Sequence, residues 1–201
     1  MKILALELSS ARGSLTWRNG DAEVTREWAN NRKNSGEFFH NLAELQKRFG
    51  PSDRIVVGLG PGSYAGTRIA ISAAIGLQLT SKAELVGLSS LCAIDCADSE
   101  YAVVGDARRQ SFYLAQVRNK ILSAPPELHA EAELRTALEA RKRRMPIFAM
   151  ENLPPFSGVT VRYPSAQILA RLAQDANRTF VLPPLEPMYL REPHITTPKP
   201  R

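Results

Sequence analysis

With 201 residues, 44% of them hydrophobic and 23% charged, the chain has the size of one domain or two small lobes and a globular composition, which excludes wholesale disorder and collagen-like or repeat architectures. No stretch reaches the ~18 uncharged apolar residues of a membrane span, and the run Ile3-Leu4-Ala5-Leu6 is too short for a signal peptide and meets Glu7 at once, so a cytoplasmic location is expected. The balance is basic, 26 Lys and Arg against 20 Asp and Glu for a formal +6, which favours encounter with polyanions.

Residues 2–8 form an apolar strand, followed by a polar turn at Ser9-Ser10-Ala11-Arg12-Gly13 and a second strand over Ser14-Leu15-Thr16-Trp17. Asn19-Gly20 signals a hairpin, and Ala22 to Trp28 returns, so the chain opens on a three-stranded antiparallel meander. Asn34 or Ser35 caps a helix with Glu37 in its first turn and Phe38, Phe39, Leu42, Ala43, Leu45 and Phe49 at helical spacing, and Gly50-Pro51 stops it. A buried strand over 54–59 then enters Gly60-Pro61-Gly62-Ser63-Tyr64-Ala65-Gly66, and a second helix runs from about Thr67 to Leu79. Leu85 to Leu88 is another strand, and Ser89 or Ser90 caps a short helix over Leu91 to Ala97 that puts Cys92 and Cys96 on one face as two buried thiols.

Asp98-Ser99-Glu100 marks a lobe boundary. Strands at Tyr101–Gly105 and Ser111–Val117 follow, then a linker over Ser123–Pro126, a charged helix over Glu131–Arg143, and strands at Pro146–Met150 and Gly158–Arg162. Ser165 caps a helix from Ala166 to about Ala176, Val181 is the last strand candidate, and six prolines from Pro183 to Pro200 keep the tail extended. The expected division is an N-terminal lobe over 1–98, a smaller lobe over 99–180 and an extended tail over 181–201. Strands alternating with helices after an opening meander make the class α/β. The run Arg141-Lys142-Arg143-Arg144 reads as a solvated helix end, since cations favour a helix C-terminus and no aromatic residue interleaves with it.

The glycine loop follows a strand and opens a helix, where backbone N–H groups can hold an anion. It is not a Walker A loop, because Gly66 is followed by Thr67-Arg68 and no lysine reaches the phosphates. Gly60, Gly62 and Ala65 match Gly-x-Gly-x-x-Ala, but Glu84 opens its strand instead of ending it, contrary to a dinucleotide site. Pro61 stands where a nucleophile elbow needs glycine. Gly60, Gly62 and Gly66 are read as structural, permitting a rigid turn and close helix–strand packing. The helix beyond is apolar nearly all round, so it must be covered on all sides. One face suits the sheet, and the face with Ala70, Ala74 and Gly76 suits another helix. Phe38, Leu42, Leu45, Phe49, Ile69, Ala70, Ala73, Ala74 and Leu77 are the expected subunit interface. His40, His129 and His194 are scattered, so no metal site is expected.

Ile3 to Trp17, the segment Gly60–Leu79 with its Gly-Pro-Gly-Ser-Tyr-Ala-Gly-Thr-Arg, Gly105-Asp106-Ala107-Arg108 and Glu186-Pro187-Met188-Tyr189-Leu190-Arg191 recur in this order in one family. The chain resembles the bacterial tRNA threonylcarbamoyladenosine biosynthesis proteins of the TsaB family, once grouped as glycoprotease-like. The resemblance runs from Met1 to about Val117, weakens over Asn119–Val181 and returns at the tail. It implies an actin-like (sugar kinase/Hsp70-type) two-lobed fold, here with a trimmed C-terminal lobe. It also implies a non-catalytic scaffold in formation of N6-threonylcarbamoyladenosine at position 37 of tRNA. The implied partners are TsaD, an actin-like subunit that holds the metal and transfers the group, and the ATPase TsaE. tRNA is reached through the complex, and a homodimer is expected of the chain alone.

Departures from an actin-like ATPase support the non-catalytic expectation. The first phosphate turn should be Asp-x-Gly and is Glu7-Leu8-Ser9, the second is Asp106-Ala107-Arg108, and the chain lacks the His-x-x-x-His of the metal-holding relative. Glu7, Ser9 and Asp106 are the only candidate nucleotide contacts; no cofactor and no catalytic residue are expected. The alternatives are a small actin-like ATP-binding kinase or ATPase, opposed by those turns, and a peptidase, for which no triad order or metal pair speaks.

Overall fold

Lys2–Glu7 forms β1, and every residue after Lys2 in it is buried, which is why it reads as an unbroken apolar run: a strand covered on both faces needs no alternation. The computed structural model describes residues 1–30 and 35–191. β1 pairs antiparallel with β2 (Arg12–Asn19), and β2 with β3 (Ala22–Ala29). β4 (Arg54–Gly58) adds parallel to β1, and β5 (Glu84–Leu88) parallel to β4, giving a first sheet in the order β3-β2-β1-β4-β5. The β2–β3 loop is Gly20-Asp21 with Gly20 at φ +60, one residue later than the Asn19-Gly20 expectation, because Asn19 still pairs with Ala22. Glu84, at the start of β5, pairs with Arg54 at 2.8 Å and is an ordinary cross-strand partner.

One face of this sheet carries α1 (Gly36–Phe49) and α2 (Tyr64–Ser81), packed over Leu4, Leu6, Leu15 and Val57. Ser35 stands at the N-cap of α1 but makes no side-chain cap bond; Asn34 lies outside the described residues. α2 begins three residues before the expected Thr67, since Ser63 is its cap and its hydroxyl accepts the Gly66 N–H at 3.2 Å. The other face of the sheet, Ile3, Ala5, Val56, Val86 and Leu88, is covered by α4 (Ala166–Leu172), capped by Ser165 through the Gln167 N–H. The expected helix over Leu91–Ala97 is a single 3-10 turn, Ser90–Ala93, capped by Ser89, and Ile94 leaves it in extended backbone. Cys92 and Cys96 therefore share no helix face: Cys92 is buried, its thiol pushed up to about 11 by burial, Cys96 is half-buried, and both are free.

The second sheet has the order β11-β10-β6-β7-β8, from β6 (Glu100–Asp106), β7 (Ser111–Arg118), β8 (Ile121–Leu122), β10 (Ile147–Ala149) and β11 (Thr160–Val161). β9 (Glu127–Ala130) also pairs with β7, directly after the expected linker Ser123–Pro126, at four residues the sequence assigns to no element. α3 (Glu131–Arg141) covers one face with Leu134 and Leu138 over Ala102, Val104 and Ile147. Tyr101, Val103, Tyr113 and Phe148 on the other face meet Leu91, Cys92 and Ile94 of the 3-10 turn region. The chain is thus a mixed α/β protein built on two sheets, the α/β class expected from the sequence. α4 ends at Leu172, and Val181 makes a single bridge with Gly87, its N–H donating to Gly87 O at 3.0 Å. From there the tail reaches the cores of both sheets: Leu185 enters the first, the Met188 N–H donates to Leu59 O at 2.7 Å, and Leu190 packs on the second. His194, Lys199 and Arg201 lie outside the described residues.

Candidate functional site

Two features stand out, the outer face of α1 and α2 and the cleft between the sheets. On the helices, Phe38, Leu42 and Leu45 turn inward and are at most 7% exposed. Ala70 and Ala74 are wholly buried against the first sheet, so the small-residue face lies on the sheet and not away from it. The reason is steric: methyl side chains at Ala70 and Ala74 let α2 approach β1 and β4 closely, with Ile71 buried beside them, while Ile75 and Leu79 point out. Phe49 is half-buried, stacked on Trp17 with ring centroids 3.9 Å apart. Ile69, Ala73 and Leu77 are half-buried at the rim of the same core. The exposed stripe of α2 runs through Arg68, Ser72, Ile75, Gly76 and Leu79, its apolar part being Ile75 to Leu79, with Leu79 80% exposed, while Phe39 of α1 is 50% exposed. Of these, only Gly76 was placed on an outward face by the sequence. Ile75 and Leu79 were legible only as members of an all-apolar helix.

The cleft holds a cavity of about 310 Å³. Its walls are the turn after β1 (Ser9, Ser10, Ala11), the start of α2, the turn after β6 (Asp106, Ala107, Arg108), Glu151 and the tail from Pro187 to Arg191. Gly62 and Gly66 hold α2 against the first turn: a Cβ on either would sit 2.1 Å from a carbonyl oxygen, of Ser9 and of Leu8 respectively. Gly60, at φ +86, makes the bend into the loop, and its N–H donates to Ser90 Oγ at 3.0 Å.

Ser9 and Asp106 both line this cleft, and Glu7 lies behind Ser9, out of the cavity wall. Glu7 is fully buried; its Oε1 accepts the Ser9 N–H at 2.7 Å, and its Oε2 has no partner and lies against Gly58. Burial pushes its carboxyl above the usual range, with the bond from the Ser9 N–H and the nearby Ser9 and Ser90 hydroxyls opposing. Asp106 does the same two residues ahead of Arg108: its Oδ1 accepts the Arg108 N–H at 2.6 Å, and its Oδ2 meets the guanidinium at 2.8 Å. The Asp106 N–H is in turn taken by Glu151 at 3.0 Å. Each turn therefore folds its amide onto the protein's own carboxylate. A phosphate would have to displace that carboxylate and approach a second acid, so the residues present do not fit the phosphates of a nucleotide. Among the described residues, no group of three His, Cys, Asp or Glu side chains could hold a metal ion, and no helix is long and apolar enough to cross a membrane.

The sequence pointed to Glu7, Ser9 and Asp106 but not to Tyr64, Arg68 and Tyr189 at the cleft mouth. The Tyr64 and Tyr189 rings lie 5.8 Å apart, 58% and 42% exposed, and the Arg68 guanidinium covers Tyr64 at 5.1 Å. Only an exposed aromatic in the glycine loop and another in the tail were available as signals.

Comparison with known proteins agrees with this architecture. An uncharacterized protein of Mycobacterium tuberculosis is 28% identical over 157 residues, spanning 76% of this chain and 70% of that protein. YeaZ from Pseudomonas aeruginosa superposes with a TM-score of 0.74 at 20% identity, over 94% of this chain and 99% of that one. Another structure from the same organism, described as similar to peptidase YeaZ, gives 0.75 at 21%, with the same coverage. A family model described as TsaD, tRNA N6-adenosine threonylcarbamoyltransferase, matches residues 39–142, from α1 through α3 and so across both sheets. That match takes in more than half of the chain, which therefore belongs to the TsaD family of tRNA N6-adenosine threonylcarbamoyltransferases and shares the fold of YeaZ.

Proposed function

We propose that this chain is the TsaB-type scaffold subunit of the machinery that forms N6-threonylcarbamoyladenosine in tRNA, without transferase or ATPase turnover of its own. In this reading it pairs with a TsaD-like subunit and acts with a TsaE-like ATPase, and two copies pair through the same face when no partner is present. The observation that carries it is the outer face of α2. From Ile69 to Thr80 the helix has no charged residue, and Ile75 and Leu79 are left uncovered by the other described residues. Contiguous exposed apolar surface of this kind marks a protein contact. Ile69, Ala73 and Leu77 would form the rim of that contact. The closed turns at Ser9 and Arg108 support the non-catalytic side of the reading.

The test is recovery of the tagged protein from its own cells, with the TsaD-like subunit and the threonylcarbamoyladenosine content of tRNA as readouts. Ile75→Arg with Leu79→Arg changes exposed positions, so the fold is kept. An unpaired charge in the covered seam costs several kcal/mol, and each ~1.4 kcal/mol is tenfold in affinity, so pairing and the modified base are both lost. Undiminished pairing in that variant overturns the assigned face. ATP turnover by the pure protein, abolished by Asp106→Ala, overturns the scaffold role in favour of a small actin-like ATPase.

A further inference from the structure

Arg68, Tyr64 and Tyr189 form a staircase at the mouth of the cleft, drawn from one turn of α2 and from the tail. The guanidinium lies 5.1 Å from the centre of the Tyr64 ring, which leans on Tyr189 at 5.8 Å with the planes 37° apart. Neither ring is core: both are more than two-fifths exposed. Two tyrosines held open to water beside each other by tertiary structure present π-faces that the fold itself does not cover. Insertion of a third ring between them would need about 7 Å, twice the ~3.5 Å contact distance, so an incoming ring stacks on the exposed part of Tyr189 and extends the staircase.

The charges nearby select the ligand. Arg108 and Arg191 line the cavity next to Tyr189, and Arg68 stands behind Tyr64, against the carboxylates of Asp106 and Glu151. Asp106 is committed to Arg108, and Glu151 to the Asp106 amide, whereas Arg191 has no side-chain partner among the described residues. The site thus offers aromatic faces for a planar ring and guanidinium groups for the charge that accompanies it. Stacked aromatic rings flanked by arginine are how unpaired bases of single-stranded nucleic acid are held without sequence readout.

We propose that the Tyr64–Tyr189 pair, with Arg68, Arg108 and Arg191, stacks one unpaired base of RNA at the mouth of the cleft. The proposal deepens the reading above and rests on it for the choice of RNA, but it gives this chain a direct contact, separate from the α2 stripe at Ile75 and Leu79. The phosphates stay outside, on Arg108 and Arg191, since the turns behind the cavity are closed by Glu7 and Asp106.

The experiment uses the full chain and an RNA hairpin with a fluorescent adenine analogue at an unpaired loop position, compared with a blunt duplex of the same stem. The wild type quenches the analogue on binding. Tyr64→Ala with Tyr189→Ala weakens hairpin binding roughly tenfold or more and abolishes the quench, leaving duplex binding unchanged. Tyr64→Phe with Tyr189→Phe keeps the rings, and keeps affinity and quench. Equal hairpin binding by the alanine and wild-type chains overturns the proposal, as does a phenylalanine pair as weak as the alanine pair. Ile75→Arg with Leu79→Arg separates the two readings. That variant still quenches the hairpin when it no longer recovers the partner, and a loss of quench there that the tyrosine variants do not share places the RNA contact elsewhere and overturns the platform.

Discussion

Replacing Gly66 and Gly76 by alanine, two identical changes in one helix, should move stability in opposite directions. Both glycines have ordinary helical backbone, so alanine gains up to ~1 kcal/mol of helix propensity at each. At Gly76 nothing lies within 4 Å of the new Cβ, and the gain is realised. At Gly66 the Cβ would stand 2.1 Å from Leu8 O. An unstrained C···O contact is about 3.3 Å, so the start of α2 must withdraw by about 1 Å. That withdrawal stretches the 2.6 Å bond from the Ser63 N–H to Ser9 O out of hydrogen-bond range and lifts Ala70 and Ile71 off the sheet. Overpacking costs about 1–3 kcal/mol and the lost buried hydrogen bond about 1, so after the helix gain Gly66→Ala is destabilised by about 1–3 kcal/mol. At roughly 2–4 °C per kcal/mol for a chain of this size, its melting temperature falls by about 2–12 °C, while Gly76→Ala rises by about 2–4 °C. Thermal and urea unfolding of the three chains decide it. A Gly66→Ala protein as stable as the wild type, or a Gly76→Ala protein that falls with it, refutes the close-approach argument.

The remaining expectations concern burial and charge. Glu7 has a raised pKa in the fold, so its contribution is fully present below the unfolded carboxyl value near 4.5 and is lost as pH rises through the folded value. Unfolding free energy should therefore fall with pH above about 4.5 more steeply in the wild type than in Glu7→Gln, which keeps an acceptor for the Ser9 N–H; parallel profiles would refute this. Ala74→Arg forces a charge between α2 and the sheet and should leave the protein unfolded by circular dichroism, whereas Leu79→Arg stays folded; a folded Ala74→Arg would contradict the placement of that face. In the basic run, Arg141 bonds Ala137 O and Lys142 pairs with Glu139, leaving Arg143 and Arg144 without side-chain partners among the described residues. Replacing those two by Gln should leave the salt dependence of RNA binding unchanged, as a solvated helix end implies, and a slope shallower by about 2 would show that both touch phosphate.

The meander, α1, β4 with its glycine loop, and the β6–β7 pair were legible because each carries its own periodicity or turn chemistry. β9 was not, since its four residues follow Pro125-Pro126 and become a strand only through pairing with β7. The orientation of α2 was hidden for another reason. A helix apolar on every side carries no signal for which side meets the sheet, and the choice was made by the size of Ala70 and Ala74 against Ile75 and Leu79. In the cleft, Glu7 and Asp106 were visible as departures from Asp-x-Gly, but not that each closes its own turn by accepting an amide two residues on. The Tyr64–Tyr189 contact joins the glycine loop to the tail and exists only in three dimensions.

The covering of the first sheet by α4 sets an order of events during synthesis. β1 leaves the ribosome long before α4, so the face formed by Ile3, Ala5 and Val56 meets its cover, Ala166, Leu169 and Ala170, only when most of the described chain has been made. At ~5–20 residues per second that interval is on the order of 10–30 s, during which an apolar sheet face stands open to water and to neighbouring chains. Contacts of such sequence separation also slow the final step, because the loop between them must close before they stabilise anything. A nascent chain of this protein is therefore a natural client for a chaperone that shields exposed strands, and one arrested before residue 166 would keep its helices over one side of the sheet while the other stayed adhesive.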